Sequence, residues 1–397
     1  MSRSTRRSVL IGFADALAAP EAAASLLGAG YRVVGFARRG RPATLRRMPG
    51  VEIVDVSPPE EDLAACAQQV AALAGAHDVT MPLDDPAVLV CDEGLPPDAL
   101  VAGARGAQAK LALDKRVQLR AAAAAGFAVP EWGELSSDGS QPDLAEDWAR
   151  PVVCKPALAA EVRDGRLRRL SPRLVDTPRA LDDLRRSWGP DTSAFVQRWV
   201  SGRGAGVFGL ADSGEVHHLS AHRRVRMMNP AGSGSSACAS APVDPELVDP
   251  VRRLLGSVGW QGMFMVELLR SADEKWWFME LNGRPWGSLA LARRLGFEYP
   301  AWAVARLLDD SAVLPEEPVF EDLLCRNLGR ELVHMLFVLR GPRSPVDRWP
   351  GRVETLRALL SRDKRTAWYN LQPGMRGVFL SDTWRTLAHQ TWEQGRA

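Results

Sequence analysis

The chain has 397 residues, of which 46% are hydrophobic and 25% are charged, and its formal net charge is +2. This composition is typical of a soluble globular protein with two or three domains, and it gives no indication of a nucleic-acid or membrane partner. No apolar run approaches the roughly 20 residues that cross a bilayer. Five scattered cysteines without CxxC spacing argue against a zinc site and a disulfide framework, and they predict a cytoplasmic location.

The first 107 residues predict an open α/β domain. The basic N-terminus lacks a small-residue cleavage pattern, so SVLIGF is interpreted as a first strand and not as part of a signal peptide. Strands are predicted at 8–13, 31–37, 51–56, 77–83 and 87–93, with helices at 20–27 and 58–74. Because no GxGxxG motif follows the first strand, a nicotinamide-dependent oxidoreductase is disfavoured.

The next two hundred residues mix both element types. A helix of strong formers ends at Gly126, and Val129-Pro130 leads into a strand. Further strands are predicted at 151–158, 194–200, 207–212 and 215–228, with helices at 178–188 and 244–259. The segment 229–236, rich in glycine and serine, is predicted to be a flexible loop with donors for an anion or a substrate.

The segment Met263 to Arg284 carries the most chemical information. Its two apolar runs flank a polar centre, which predicts an antiparallel hairpin with a turn between Asp273 and Glu274. Glu267 then lies opposite Glu280, and like charges at such facing positions destabilise a sheet unless a cation lies between them. Asn282 would add an amide oxygen on the same face. These ligands suit Mg²⁺ holding a polyphosphate, and the alternative is a solvent-exposed face with scattered acids.

Two further sequence patterns indicate where positive charge could contact a phosphate or another anion. The chain has only five lysines, at 110, 115, 155, 275 and 364. Lys115 and Lys155 therefore mark positions where a compact ammonium is needed, for example on phosphate. In the strand HRRVR, alternation puts His222, Arg224 and Arg226 on one face, where they would repel unless an anion lies over them. An exposed cationic strand is the alternative.

The order of these elements resembles the ATP-grasp superfamily, in its carboxylate–amine ligase branch with biotin carboxylase-like and carbamoyl phosphate synthase-like members. The resemblance covers roughly residues 1 to 310 and depends on the ordered set of motifs. It implies an α/β and α+β fold with an N-terminal open α/β (pre-ATP-grasp) domain, a two-lobed ATP-grasp domain and a mostly helical C-terminal extension. The predicted ranges are 1–107, 108–310 (lobe A about 108–200, lobe B about 201–310) and 311–397.

The resemblance also implies roles for individual residues. Asp114-Lys115 and Lys155-Pro156 match the two motifs whose lysines contact nucleotide phosphates. The residues implied to bind ATP are Lys115, Lys155, Gln197, Arg198, Trp199, Val200 and His222, with the four from 197 to 200 around the adenine. The residues implied to bind Mg²⁺, with Mn²⁺ as an alternative ion, are Glu267, Glu280 and Asn282. Arg284 and Arg224 are the implied catalytic residues.

Three positions depart from the family pattern. The loop after Lys155, ALAAEVRDG, has a single glycine where clustered glycines usually close on the phosphates. Gly204 stands where a ribose-binding acid is often found, and Met227-Met228 stand where acids occur in some members.

The function that follows is an ATP-dependent ligase, which joins a small-molecule carboxylate to an amine or a related nucleophile through an acyl phosphate. The reaction would release ADP and phosphate. The alternative is a non-catalytic ATP-binding protein. The segment after residue 311 is expected to form a helix over 322–339 that packs either on the ligase body or on a second subunit. In the second case the protein would be a homodimer.

Overall fold

The computed structural model describes residues 6–135, 151–189, 191–309, 311–342, 349–361 and 365–393. Its N-terminal part is a four-stranded parallel sheet of order β3-β2-β1-β4 with helices packed against it. The elements are β1 (Ser8–Gly12), α1 (Ala19–Gly28), β2 (Arg32–Arg38), β3 (Val51–Val56), α2 (Leu63–Ala74), β4 (Val79–Pro82), α3 (Asp85–Gly94), α4 (Ala107–Leu113) and α5 (Lys115–Ala124). A parallel sheet with alternating helices is the predicted open α/β arrangement.

The strand expected at 87–93 is wrong, because this segment belongs to helix α3. Asp84 caps the helix by accepting a hydrogen bond from the Ala87 amide, and Pro86 occupies the first turn. These are helix-start signals that outweigh the β-branched content of AVLVCDE. Helix α2 likewise begins later than predicted, where the Asp62 side chain accepts from the Ala65 amide.

A second, smaller sheet has the order β5-β10-β6-β9, and a separate hairpin pairs β7 with β8. The elements are β5 (Trp132–Glu134), β6 (Val152–Pro156), β7 (Glu161–Arg163), β8 (Arg166–Arg168), β9 (Arg173–Val175), α6 (Pro178–Trp188) and β10 (Ala194–Arg198). The loop that follows Lys155 thus forms a β-hairpin that turns at Asp164-Gly165, both with positive φ.

The third sheet has seven strands in the order β15-β14-β11-β12-β13-β16-β17. The elements are β11 (Arg203–Asp212), β12 (Glu215–Asn229), β13 (Ser233–Ala241), α7 (Pro245–Gly256), β14 (Gly262–Arg270), β15 (Trp276–Asn282), α8 (Leu289–Arg294), α9 (Tyr299–Leu308), β16 (Leu324–Arg326), α10 (Leu328–Arg340), α11 (Arg352–Leu360), β17 (Thr366–Trp368) and α12 (Arg376–Glu393).

Two expectations for this region are corrected. The segment 229–236 is mostly strand, because β12 extends to Asn229 and β13 begins at Ser233, which leaves only 230–232 as a tight turn. The helix expected over 322–339 begins only at Leu328, after strand β16 and the capping residue Asn327. Since β16 and β17 extend the large sheet, the C-terminal segment is helical but also part of that sheet.

Buried side chains join the first and third sheets into one core. A single cluster contains Val9 and Ile11 of β1, Phe208 of β11, Met265 of β14 and Trp286 after β15. The carboxyl ends of the N-terminal strands are thereby held against the end of the β14–β15 hairpin. Among the described helices, none is both long and apolar enough to cross a membrane. The domain boundaries at 107 and 310 stay predictions.

Candidate nucleotide and substrate site

The predicted opposition of two carboxylates is confirmed. Glu267 of β14 and Glu280 of β15 are direct cross-strand partners, and Met265 faces Asn282. The predicted turn was displaced by half a residue, since Arg270 faces Trp276. A bulge between Glu267 and Leu268 inserts Met279 and restores the register at the two acids.

Each carboxylate is neutralised by a cation from another element. Lys115 at the start of α5 donates to Glu280, with 2.6 Å between Nζ and Oε1. Arg224 of β12 lies 2.7 Å from Glu267, measured from Nη2 to Oε1. Burial alone would lower the pKa of Lys115, but the Glu280 carboxylate outweighs it and raises that pKa. Each of the two acids thus has a positive partner, which offsets the repulsion between two facing carboxylates.

The carboxylate pair fits a hard divalent cation by its chemistry. Two carboxylates and the Asn282 amide lie on the wall of one cavity, and oxygen donors of this kind suit Mg²⁺. Within the described residues no group of three or more His, Cys, Asp or Glu side chains could hold a metal ion by itself. A bound ion would therefore depend on this pair and on oxygen atoms from a ligand.

The other predicted site residues of the hairpin and the basic strand also lie on this cavity, whose volume is about 890 Å³. Arg284 makes a bidentate pair with Asp85, at 2.6 and 3.1 Å. His222 is 2% exposed, its Nδ1 lies 2.9 Å from the Ser288 hydroxyl, and its Nε2 has no partner. Burial lowers the pKa of His222 to about 3, so the ring is neutral at physiological pH.

A second cavity of about 1030 Å³ opens between the small sheet and the large sheet. Its wall includes Trp199 and Val200, two of the residues implied to surround adenine. The Arg198 and Trp199 amides already donate to the carbonyls of Glu131 and Pro151. Among the four positions, the Val200 amide is the one without a backbone acceptor in the described part of the chain, so it is available to a planar ring.

The two cavities meet at the charged pair of β12 and β14, because Arg224 and Glu267 line both of them. One cavity is rich in apolar side chains such as Leu174, Met227 and Leu269, and the other is rich in charged ones. A ligand with a planar apolar end and an anionic end would span the junction.

Some predicted residues lie away from both cavity walls. Lys155 and Gln197 are hydrogen-bonded to each other, with 2.6 Å between Nζ and Oε1. Neither of them lines either of these two cavities, and the same is true of Arg198 and Lys115. Burial, with the charge of Lys115 as a smaller cause, lowers the pKa of Lys155 to about 8. Lys364 lies outside the described residues. Arg226, expected beside Arg224, does line the second cavity, but bulges on both sides displace it and it binds Glu331 at 2.8 and 2.9 Å.

Other elements bring to the charged cavity residues that were not predicted from the sequence. Asp15, Arg38, Glu60 and Asp84 come from the carboxyl ends of the four N-terminal strands, and Arg330 comes from the first turn of α10. A signal was present, since ligands of open α/β sheets bind at the carboxyl ends of the strands. Arg330 had no such signal.

The sequence matches no family model and no curated protein sequence, whereas many solved structures are similar to the chain. L-amino acid ligase from Bacillus licheniformis is 19% identical, with 78% of this chain and 75% of that chain covered and a TM-score of 0.57. N5-carboxyaminoimidazole synthetase from Staphylococcus aureus is 15% identical, with 82% and 83% covered and a TM-score of 0.60.

Biotin carboxylase from Campylobacter jejuni, solved as a β,γ-ATP complex, is 16% identical, with 81% of this chain and 75% of that chain covered and a TM-score of 0.59. Because all three identities are low, the similarity concerns the fold. The chain has the fold of the ATP-grasp enzymes, as its sequence resemblance predicted.

Proposed function

We propose that the protein is an ATP-dependent ligase that activates a carboxylate as an acyl phosphate and transfers the acyl group to an amine, with release of ADP and phosphate. The observation that supports this most directly is the Glu267–Glu280 pair at the junction of the two cavities. Two facing acids at such a point are typical of a site where Mg²⁺ holds a triphosphate.

The apolar cavity is proposed to bind the adenosine part of ATP. Trp199 and Val200 provide an edge for the base, and the Val200 amide, which has no backbone acceptor among the described residues, is the proposed donor. The triphosphate would then extend toward Arg224, which is partly buried and borders both cavities. Lys155 and Gln197 would have to exchange their mutual hydrogen bond for a phosphate contact.

Mg²⁺ is proposed to be held by Glu267, Glu280 and Asn282, where it would neutralise charge on the transferred phosphoryl group. In that state Lys115 and Arg224 no longer need to neutralise the two acids, so both cations become available to the phosphates. The residues thus supply charge stabilisation and positioning, and no protein nucleophile is required.

The carboxylate to be activated is proposed to bind at Arg330. Within the described residues no carboxylate oxygen lies within ion-pair distance of its guanidinium, which donates to the Ser235 carbonyl at 3.0 Å. Burial lowers the pKa of Arg330, so its cation is incompletely compensated and favours an anionic ligand. Arg284 has Asp85 as partner and is proposed to steady the acyl phosphate.

The decisive experiment incubates the protein with MgATP and a panel of amino acids, peptides and other small carboxylates, with and without amines, and measures ADP and phosphate. Glu280→Gln should abolish acid-dependent ADP release, because it removes half of the charge that holds the metal. Glu274→Gln, in the exposed turn of the same hairpin, should behave like the wild type. Release of AMP and pyrophosphate would contradict the acyl-phosphate scheme. Tight ATP binding without turnover would favour a non-catalytic nucleotide-binding protein.

A further inference from the structure

The loop that follows Lys155 gives many of its backbone amides to other parts of the chain. The Ala157 and Ala159 amides each donate to a backbone carbonyl at 2.8 Å. Further along, β7 and β8 pair with each other, and such a ladder uses backbone amides internally. A phosphate held by a loop needs several amides that point at it. This loop is therefore poorly suited to hold a phosphate by its backbone, and a side chain would have to supply the contact.

The hairpin of β7 and β8 is held against the N-terminal part of the chain by backbone hydrogen bonds. The Leu167 amide donates to the Pro59 carbonyl at 2.8 Å. The Gly165 carbonyl accepts from the Leu63 amide at 3.0 Å, and this amide is the first of α2, so it has no acceptor within the helix. The Leu167 side chain is buried in the same region. These contacts fix the position of the residues that follow β8.

Arg169, the residue directly after β8, lies in the wall of the charged cavity. Its side chain is 51% exposed, and its Nη2 is 3.5 Å from Oδ2 of Asp85. Asp85 is already bound through both oxygens by Arg284, at 2.6 and 3.1 Å. A separation of 3.5 Å is long for a charge-assisted hydrogen bond. Arg169 thus brings a guanidinium into the cavity whose donors are accessible to a ligand.

Asp85 connects Arg169 to the end of the cavity where Mg²⁺ is proposed to bind. Burial opposes the ionisation of Asp85, but neighbouring cations hold its pKa below the usual range, and these are Arg284, Arg169 and Lys115 in decreasing order of effect. Lys115 in turn donates to Glu280, one of the proposed metal ligands. Arg169 is therefore within electrostatic reach of the residues that surround the terminal phosphate in the proposed complex. An oxygen of that phosphate would replace the long contact to Asp85.

We propose that Arg169 is a catalytic residue that binds the γ-phosphoryl group of ATP from the β7–β8 side of the charged cavity. This inference rests on the proposed ligase function, since it assigns a residue to the transferred group. In the transfer, an oxygen of the acid forms a bond to the γ-phosphorus, the bond from phosphorus to the bridging oxygen breaks, and ADP leaves with that electron pair. Arg169 stays on the phosphoryl oxygens throughout and stabilises the charge on them.

The test compares two nucleotides that differ in the γ-phosphoryl group. Isothermal titration calorimetry measures the binding of ADP and of AMPPNP, an ATP analogue that is not hydrolysed, each with Mg²⁺. Arg169→Met should weaken AMPPNP binding about tenfold to a hundredfold, as expected for loss of a charge-assisted hydrogen bond, and should leave ADP binding unchanged. Arg169→Lys keeps the charge but not the planar fork, so its affinity for AMPPNP should lie between the two.

The matched control is Arg166→Met, which removes an exposed arginine from the same hairpin. It changes the net charge by the same amount and should bind both nucleotides like the wild type. Because Arg169 is half-exposed and its ion pair is long, its variants should fold, and thermal unfolding checks this. Once the ADP screen has identified an acid, kcat for acid-dependent ADP release should fall at least tenfold in Arg169→Met as well.

Three results would overturn the inference. The first is an unchanged affinity of Arg169→Met for AMPPNP, and the second is an equal loss of affinity for AMPPNP and ADP. The third is a loss of AMPPNP affinity in Arg166→Met as large as that in Arg169→Met, which would indicate a general effect of charge. A wild type that binds AMPPNP through Arg169 but releases no ADP with any acid would refute the ligase proposal and leave the γ-phosphoryl contact in place. A wild type that binds neither nucleotide would refute both.

Discussion

Replacing Lys155 by methionine removes a buried ammonium whose hydrogen-bond partner is the neutral Gln197 and which contacts no carboxylate of the described residues. Burial lowers its pKa from 10.5 to about 8, which corresponds to about 3 kcal/mol of folding free energy spent on keeping the charge at neutral pH. The variant regains this amount but leaves the Gln197 oxygen without its donor, which costs about 1–3 kcal/mol. The two effects nearly cancel at pH 7.

The pH dependence of the free energy of unfolding distinguishes the cost of the buried charge from the cost of the lost hydrogen bond. Between pH about 8 and pH 10.5 the unfolded chain keeps the Lys155 proton while the folded protein has lost it, so the stability of the wild type rises with pH across this window. The stability of the methionine variant does not depend on pH in this way. Urea unfolding of both proteins at pH 7 and pH 10.5 should therefore show their difference changing by about 3 kcal/mol in favour of the wild type.

The control is Lys110→Met, at an exposed position of α4, for which the difference from the wild type should not change with pH. ATP binding provides an independent measurement, because the phosphates need the protonated lysine. The affinity of the wild type should fall above pH 8, and that of the methionine variant should be low at every pH. A stability difference that is constant from neutral to alkaline pH would refute the claim that this ammonium is desolvated.

Three further predictions concern the charged cavity. Lys115→Met leaves the Glu280 carboxylate without its cation and should destabilise the metal-free protein by about 3–5 kcal/mol in urea unfolding. His222 stays neutral in the folded protein down to a pH of about 3, but in the unfolded chain it takes up a proton near pH 6.5. The wild type should therefore lose stability as the pH falls from neutral to pH 4. His222→Gln should lose about 3 kcal/mol less over the same range. Gly204→Ala places a Cβ 2.5 Å from the Arg224 side chain, and displacement of that cation should lower kcat for ADP release about tenfold or more.

Each of these has a control in the chain. Lys275 lies in the exposed hairpin turn, and Lys275→Met should leave stability nearly unchanged. His77→Gln replaces a histidine outside the cavity, and Gly28→Ala adds a Cβ with nothing within 4 Å. A loss of less than 1 kcal/mol for Lys115→Met would contradict the importance of its ion pair. If His222→Gln and the wild type lose the same unfolding free energy between neutral pH and pH 4, the prediction for His222 is wrong. An unchanged kcat for Gly204→Ala would contradict the prediction for Gly204.

The fold was largely predictable because most elements have a clear hydrophobic period and a start or stop signal. Helix α6, with Thr177 as its cap and Pro178 at its first position, has the bounds that the sequence predicts. The segment 87–93 was misassigned because it is apolar on both faces, and a short apolar run does not distinguish a buried helix from a buried strand. Strand β16 was missed because three residues are too few to show a period.

The candidate site was predictable only where its residues are neighbours in one hairpin. The pairing of Glu267 with Glu280 follows from alternation. The turn was predicted half a residue away from its actual position, and a bulge that the sequence did not predict restores this pairing. Arg38 and Arg330 reach the cavity from positions about three hundred residues apart, and only the packing of three sheets brings them together. Their local sequences have no period that reports such long-range contact.

Glu21, a buried acid of helix α1, joins parts of the chain that are translated at very different times. It accepts hydrogen bonds from Arg293 and Arg294 of α8 and from the Asn370 amide, which follows β17. The first helix therefore cannot complete its contacts until the ribosome has released nearly the whole polypeptide. We expect nascent chains that stop before residue 370 to remain sensitive to proteases even in their N-terminal third, and the full-length protein to unfold in a single cooperative step.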